Sequence, residues 1–308
     1  MAVVTSDFLA GLMMNFQALA MMSLTEQEKD AVWPKIATLM PSESDKESYG
    51  WLGEVPAMRE WKAERAIYGL TGFDYTITNK HFEGTIAVDR DTLADDKYGL
   101  IKPKIQELGQ RAALYPDELL LTLLAPGTVE KAFDGTAFFA HTRLIGASAN
   151  IDNLLAGNGI DTAAHILTDL AAAVVALGTF QDARGKPMNL IAGKAPITIV
   201  CPLAALIPIR SALLPAVAGV PRAEAGFVAE VIGSAWLDAV DANDWYVLVS
   251  NRVLKPLIYQ LRQKPEFVAL DKPDSTEAFV RRHLLYGIDM RCNAGFGDPR
   301  YAVKIVNT

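Results

Sequence analysis

From Phe73 onward apolar and polar positions alternate strictly, with Phe73, Tyr75 and Ile77 opposite Asp74, Thr76 and Thr78, which is the period of a β-strand. Phe82, Ile86 and Val88 share one face of a further strand. The preceding run, Met58–Tyr68, also has strand character but carries Arg59, Glu60, Lys62, Glu64 and Arg65, and Gly69-Leu70-Thr71-Gly72 supplies the turn between the two. The pattern predicts a long charged hairpin. A ribbon of two or three strands is marginal in water by itself. Its aromatic face (Trp61, Phe73, Tyr75, Phe82) therefore needs a partner, either the chain's own body or a neighbouring subunit.

Elsewhere the period lengthens to that of helices. Residues 5–22 place Phe8, Leu12, Phe16 and Leu19 on one face, with Thr5 or Ser6 as cap. The polar face has no lysine or arginine, so packing against protein fits better than lying on a membrane surface. A second helix is expected from Pro103 to Ala125, about 33 Å long at 1.5 Å per residue. Ile105, Leu108, Ala112, Leu119 and Leu123 form its stripe, and Pro116 should kink or restart it with Asp117 and Glu118 in the new first turn. Asp161 is the expected cap of a third helix, with Ile166, Leu170, Val174 and Leu177 inward and Gly178 at its end. From Met188 short buried strands alternate with helices: Ile197–Cys201, a helix opened by Pro202, then Phe227–Ile232 and Trp245–Val249. Ile288, Met290 and Cys292 alternate with polar neighbours, a turn follows at Gly295–Pro299, and Tyr301, Val303 and Ile305 close the last strand. The mixture predicts an α+β fold.

Composition narrows the function classes. The chain has 308 residues, 51% of them apolar and 21% charged, enough for a substantial core in one large domain or two lobes. A formal net charge of −7 argues against a nucleic-acid-binding module, which needs a basic field. Two cysteines, Cys201 and Cys292, make neither a disulfide framework nor a zinc site, and they fit a reducing compartment. Gly11–Met22 is too short to span a bilayer, and no secretion signal is visible, so no membrane partner is expected.

Candidate chemistry is sparse. His81, His141, His165 and His283 have no zinc-ligand spacing, although His165 and Asp169 sit four residues apart on the third helix. The acidic run Asp89, Asp91, Asp95, Asp96 lacks the glycine and glutamate of a calcium loop and reads as helix capping and first-turn charge. Ser148 lies outside any Gly-x-Ser-x-Gly pattern, and Lys194 lacks the remainder of a phosphate loop. No catalytic, cofactor-binding or metal-binding residue is assigned, and no enzyme activity is expected.

Several phrases occur together in one order: Ser48-Tyr49-Gly50-Trp51-Leu52-Gly53, Pro56-Ala57-Met58-Arg59-Glu60-Trp61, Asn79-Lys80-His81-Phe82-Glu83, Val88-Asp89-Arg90-Asp91, Asp134-Gly135-Thr136-Ala137-Phe138-Phe139 with His141, and Tyr286-Gly287-Ile288-Asp289-Met290-Arg291. On these the chain resembles the major head subunit of Mu-like phages, within the HK97-like class of tailed-phage capsid proteins. The resemblance implies an N-terminal arm (1–48), an extended hairpin or E-loop (49–90), a peripheral domain with a spine helix (91–179), an axial domain (180–255) and a return to the peripheral sheet (256–308). It further implies self-assembly into hexamers and pentamers of an icosahedral shell that encloses double-stranded DNA without sequence-specific binding. Implied partners are a portal, a decoration protein and a scaffold protein, the last separate because only about fifty residues precede the hairpin. The implied location is the virion, assembled in a bacterial host's cytoplasm. Inter-subunit contacts are expected at Arg59, Glu60, Trp61, Lys62, Glu64, Arg65, Phe73 and Tyr75. A nanocompartment shell of the same fold and a hydrolase using Ser148 are the alternatives.

Overall fold

A computed structural model describes residues 6–51, 73–94, 98–191, 197–213, 228–272 and 275–307. Helix α1 (Ser6–Glu28) leads through one turn, α2 (Trp33–Ile36), into strands β1 (Ala37–Pro41) and β2 (Lys46–Trp51). Strands β3 (Phe73–Thr78) and β4 (Lys80–Asp89), the short α3 (Arg90–Ala94) and the 27-residue α4 (Tyr98–Leu124) follow. Next come β5 (Leu154–Ala156), α5 (Ala163–Thr179), β6 (Ile197–Pro202), α6 (Leu203–Leu213), β7 (Val228–Ser234), α7 (Ala235–Asp238) and β8 (Trp245–Val249). Strand β9 (Leu257–Leu270), α8 (Thr276–Val280), β10 (His283–Phe296) and β11 (Ala302–Val306) complete the chain.

The strands form a four-stranded sheet in the order β1-β9-β10-β4, a five-stranded sheet in the order β5-β11-β8-β6-β7, and the two-stranded β2-β3. Helices flank mainly antiparallel sheets, an α+β architecture. Phe16 of α1 and Ile105 and Leu108 of α4 pack on Tyr286 and Ile288 of β10, burying one face of the four-stranded sheet. Ile166, Leu170 and Leu177 of α5, with Ile209 of α6, cover Ile199 and Val247 of the five-stranded sheet. Leu120, Leu121 and Leu124 close α4 over Phe138, Phe139 and Phe296, where the two sheets meet.

That junction contains paired charges. Asp298 accepts two bonds from Arg300, Nε at 2.9 Å and Nη2 at 2.6 Å, and Arg143 Nε lies 3.4 Å from Asp134. Burial pushes the Asp298 carboxyl up to about 7 and lowers the Arg143 guanidinium. The Asn153 amide donates to the carbonyls of Phe138, Pro299 and Ala302, tying the segment before β5 to the entrance of β11.

Several local expectations changed. Helix α4 begins at Tyr98 and runs unbroken through Pro116, and the buried Asp117 carboxylate serves another element, accepting the Val32 and Trp33 N–H groups. Its buried stripe turns by one position after Pro116, leaving Leu119 and Leu123 half-buried while Leu120, Leu121 and Leu124 are enclosed. The cap of α5 is Thr162, whose hydroxyl accepts the His165 N–H, while Asp161 pairs with the His165 ring at 2.8 Å. Asp169 does not face His165; it turns inward to accept bonds from Asn158. Strand β9, with Arg262, Lys264 and Pro265 inside it, falls in the returning sheet (256–308) that the resemblance implies, although no periodicity marks it as a strand.

Candidate assembly site: the anchored base of the hairpin

The alternating run that begins at Phe73 ends after Thr78. Lys80–Asp89 is the edge strand β4 of the four-stranded sheet, in register with Cys292 through His283. The free ribbon is therefore β2–β3, paired from Lys46↔Thr78 to Trp51↔Phe73. For Phe82 and Tyr75 the apolar partner is the chain's own body. The Phe82 ring meets Tyr115 of α4 with centroids 4.6 Å apart, and Tyr75 packs at the edge of the central core.

A polar network fixes the ribbon's base. Gln260, fully buried in β9, accepts the Tyr49 hydroxyl at 2.7 Å and donates to Ile77 O at 3.1 Å and to Asn79 Oδ1 at 2.8 Å. Asn79 in turn donates through Nδ2 to Ser42 Oγ and Ser44 O, and through its backbone to Asp45 O. On the far side the Tyr75 hydroxyl accepts the Phe296 N–H at 2.9 Å, and Asn293 donates to Thr78 O at 2.6 Å. Gly295 makes the close approach feasible: a Cβ there would lie 2.3 Å from Ile77 Cδ1. Burial raises the Tyr49 phenol to about 12 and raises Tyr75 as well, so both stay protonated hydrogen-bonding groups.

The loop before β2 is closed by Glu47. Its Oε1 accepts the N–H groups of Glu43 and Ser44 and the hydroxyls of Ser42 and Ser44. Those backbone bonds to Ser44 and Glu43, then the hydroxyls, hold the carboxyl at about 2. Both strands of the base are thus locked to the body. Arg59, Glu60, Trp61, Lys62, Glu64 and Arg65 lie outside the described residues, as do the side chains of Phe8, Leu12 and Phe73, and Lys194. Neither Gln260 nor Asn79 was singled out for this role from the sequence. The available signal was one amide inside the apolar run Leu257-Ile258-Tyr259-Gln260-Leu261.

The other candidates have structural surroundings. Ser148 is buried and its hydroxyl accepts Ile145 N–H, closing a turn. Asp89 accepts Thr92 N–H at the start of α3. His81 lies 3.9 Å from Asp289, and His141 lies 3.4 Å from Asp152. Among the described residues no three histidines, cysteines or carboxylates converge as a metal site would require. Cys201 and Cys292 are buried free thiols, raised by burial to about 12 and about 11. No helix among the described residues is long and apolar enough to cross a membrane.

With this geometry in view, comparison with known proteins is informative. The family model described as Mu-like prophage major head subunit gpT matches residues 9–185 and 222–307. The chain is 27% identical over 279 residues to the major capsid protein of Escherichia phage Mu, covering 91% of this chain and 68% of that protein. It is 25% identical over 306 residues to the Mu-like prophage FluMu major head subunit of Haemophilus influenzae, covering 99% and 75%. Among solved structures, a chain of the bacteriophage JBD30 procapsid is similar with a TM-score of 0.57 at 27% identity, covering 99% of this chain and 77% of that one. A chain of the virus-like particle from Pyrococcus furiosus has the same fold, with a TM-score of 0.57 at 11% identity and coverage of 93% and 97%.

Proposed function

The chain belongs to the family of Mu-like prophage major head subunits and is a major capsid protein, and from that premise we propose how copies of it join. Subunits group as hexamers and pentamers and close an icosahedral shell around double-stranded DNA, with a scaffold protein and a portal as assembly partners. Assembly takes place in the cytoplasm of the bacterial host.

The observation that supports a role for the hairpin is the locked base at Gln260, Asn79 and Tyr75, from which residues 52–72 depart. A ribbon held rigidly at one end reaches a neighbour with little further loss of conformational freedom. Trp61 and Phe73 supply apolar contact, and Arg59, Glu60, Lys62, Glu64 and Arg65 supply register through charge. Exposed ion pairs contribute only about 0–1 kcal/mol each, so apolar area and copy number carry the affinity. The base keeps Tyr75 for its own chain, leaving the more distal residues for the neighbour.

The test is the double charge reversal Arg59→Glu, Arg65→Glu. Electron micrographs should show closed particles lost, while circular dichroism and the thermal midpoint of the free subunit stay unchanged. A normal particle yield would remove the hairpin contact from the proposal.

A further inference from the structure

Strand β4 ends the four-stranded sheet among the described residues, so its outer edge is unpaired there. Its inward positions Phe82, Gly84 and Ile86 are only half-buried, because α4 packs more on β10 than on β4. A cavity of about 210 Å³ remains between β4 and α4, walled by Phe82, Gly84, Leu108, Ala112, Tyr115 and Met290. The exposed residues Glu83 and Arg111 border it. Arg111 is taken by Glu107 at 3.1 Å, whereas Glu83 meets the Thr85 hydroxyl and no cation among the described residues.

Gly84 keeps the cavity open. Its backbone is that of the strand, not the left-handed conformation that favours glycine. A Cβ there would meet Leu108 Cδ1 at 3.4 Å, an ordinary contact, and no other described atom within 4 Å. The described fold therefore does not demand glycine here. Glycine inside a strand costs stability, and it often marks the place where a ligand or another chain comes close. The cavity is smaller than a ligand pocket of about 300–1,000 Å³. It is larger than the cavity of about 150 Å³ that takes up one benzene. Its size and apolar wall suit one large aromatic side chain.

We propose, on the premise of the hairpin contact above, that this cavity seats the Trp61 indole of a neighbouring copy. Residues 52–72 join Trp51 to Phe73. As a hairpin they make two arms of about ten residues, each reaching about 33 Å. Alternate residues of an extended chain share a face, which puts Arg59 and Arg65 on the side of Trp61 and Glu60, Lys62 and Glu64 on the other. The two arginines complement Glu83 beside the cavity. The chain's own ribbon is tied to the opposite face of the sheet. Asn293 and Gly295 meet Thr78 and Ile77, whereas Ile288 and Met290 of the same strand face α4 and the cavity. A second copy is thus the better placed donor, and the unpaired edge of β4 offers main-chain hydrogen bonds to the same arm.

The experiment fills the cavity from within, by Gly84→Leu in the full chain. The thermal midpoint of the free subunit should stay level or rise. The yield of closed particles should fall by about tenfold or more, as loss of an aromatic anchor requires. Photo-crosslinking locates the seat without a Gly84 variant. Isotopically heavy subunits carrying Trp61→benzoylphenylalanine are co-assembled as a minority with light wild-type subunits. Trypsin should then release heavy peptides linked to light His81–Arg90 or Ala112–Lys131. Links between heavy peptides alone would mean that the hairpin closes its own cavity, and would overturn the proposal. Links that avoid both peptides, or wild-type particle yield from a folded Gly84→Leu subunit, would overturn it too. If the Arg59→Glu, Arg65→Glu reversal still blocks particles in that case, the hairpin contact stands and only its seat is lost.

Discussion

Asn79 Oδ1 accepts a hydrogen bond from Gln260 Nε2 at 2.8 Å, across 181 positions of sequence. Through this one contact the ribbon, the edge strand β4 and the central strand β9 are held in a single frame. Replacing Gln260 by leucine keeps the bulk but leaves Asn79 Oδ1, Ile77 O and the Tyr49 hydroxyl without their partner. A buried group left unpaired costs about 1–3 kcal/mol, so Gln260→Leu is expected to lose at least that much. Urea unfolding of the free subunit measures it, and an unchanged midpoint would show the network to be dispensable.

Asp117 of α4 accepts the N–H groups of Val32 and Trp33, at 3.0 Å and 2.6 Å, and so caps the single turn α2 from 84 and 85 positions away. Asp117→Ala should destabilise the chain by about 1–2 kcal/mol, the worth of a lost cap. Asp117→Asn, which retains an acceptor oxygen, should lose less. Equal losses in the two variants would point to packing instead of capping.

Glu47 links stability to acid. Its carboxyl is held at about 2 by the Ser44 and Glu43 N–H groups, against an ordinary value of 4.5. A depressed carboxylate contributes fully above its unfolded value and loses that contribution as pH falls toward about 2. Glu47→Gln should therefore lower the unfolding midpoint at neutral pH, and the gap from wild type should narrow between about 4.5 and about 2. A gap that stays constant through that range would exclude the linkage.

Helices α1 and α4 touch at Gly109, where an added Cβ would lie 2.2 Å from Ala20 O. Gly109→Ala should cost about 1–3 kcal/mol, as overpacking does, in spite of alanine's better helix propensity. At Gly11 of α1, where nothing lies within 4 Å, the same change should be neutral or gain up to about 1 kcal/mol. Thermal unfolding of the pair separates contact from propensity.

Much of the fold was legible because its signals are local. Period-two alternation marked Phe73–Thr78 and Ile288–Cys292, and helical spacing of Ile105 and Leu108 marked the first half of α4. The ordered phrases from Ser48 to Arg291 carried the family. Strand β9 escaped because Arg262, Lys264 and Pro265 interrupt its apolar run. The structure leaves them half-buried or exposed in the middle of a long strand whose first four residues, Leu257–Gln260, are enclosed.

By itself, then, the sequence determined most of the element types and the family, since each depends on residues a few positions apart. Only the tertiary structure decided that Tyr75 anchors its own chain, that Thr162 and not Asp161 caps α5, and that Lys304 meets Asp244. Those pairings are made by strand register and helix facing across tens to hundreds of positions. A side chain's partner there is chosen by packing of whole elements, which leaves no spacing in the sequence to read.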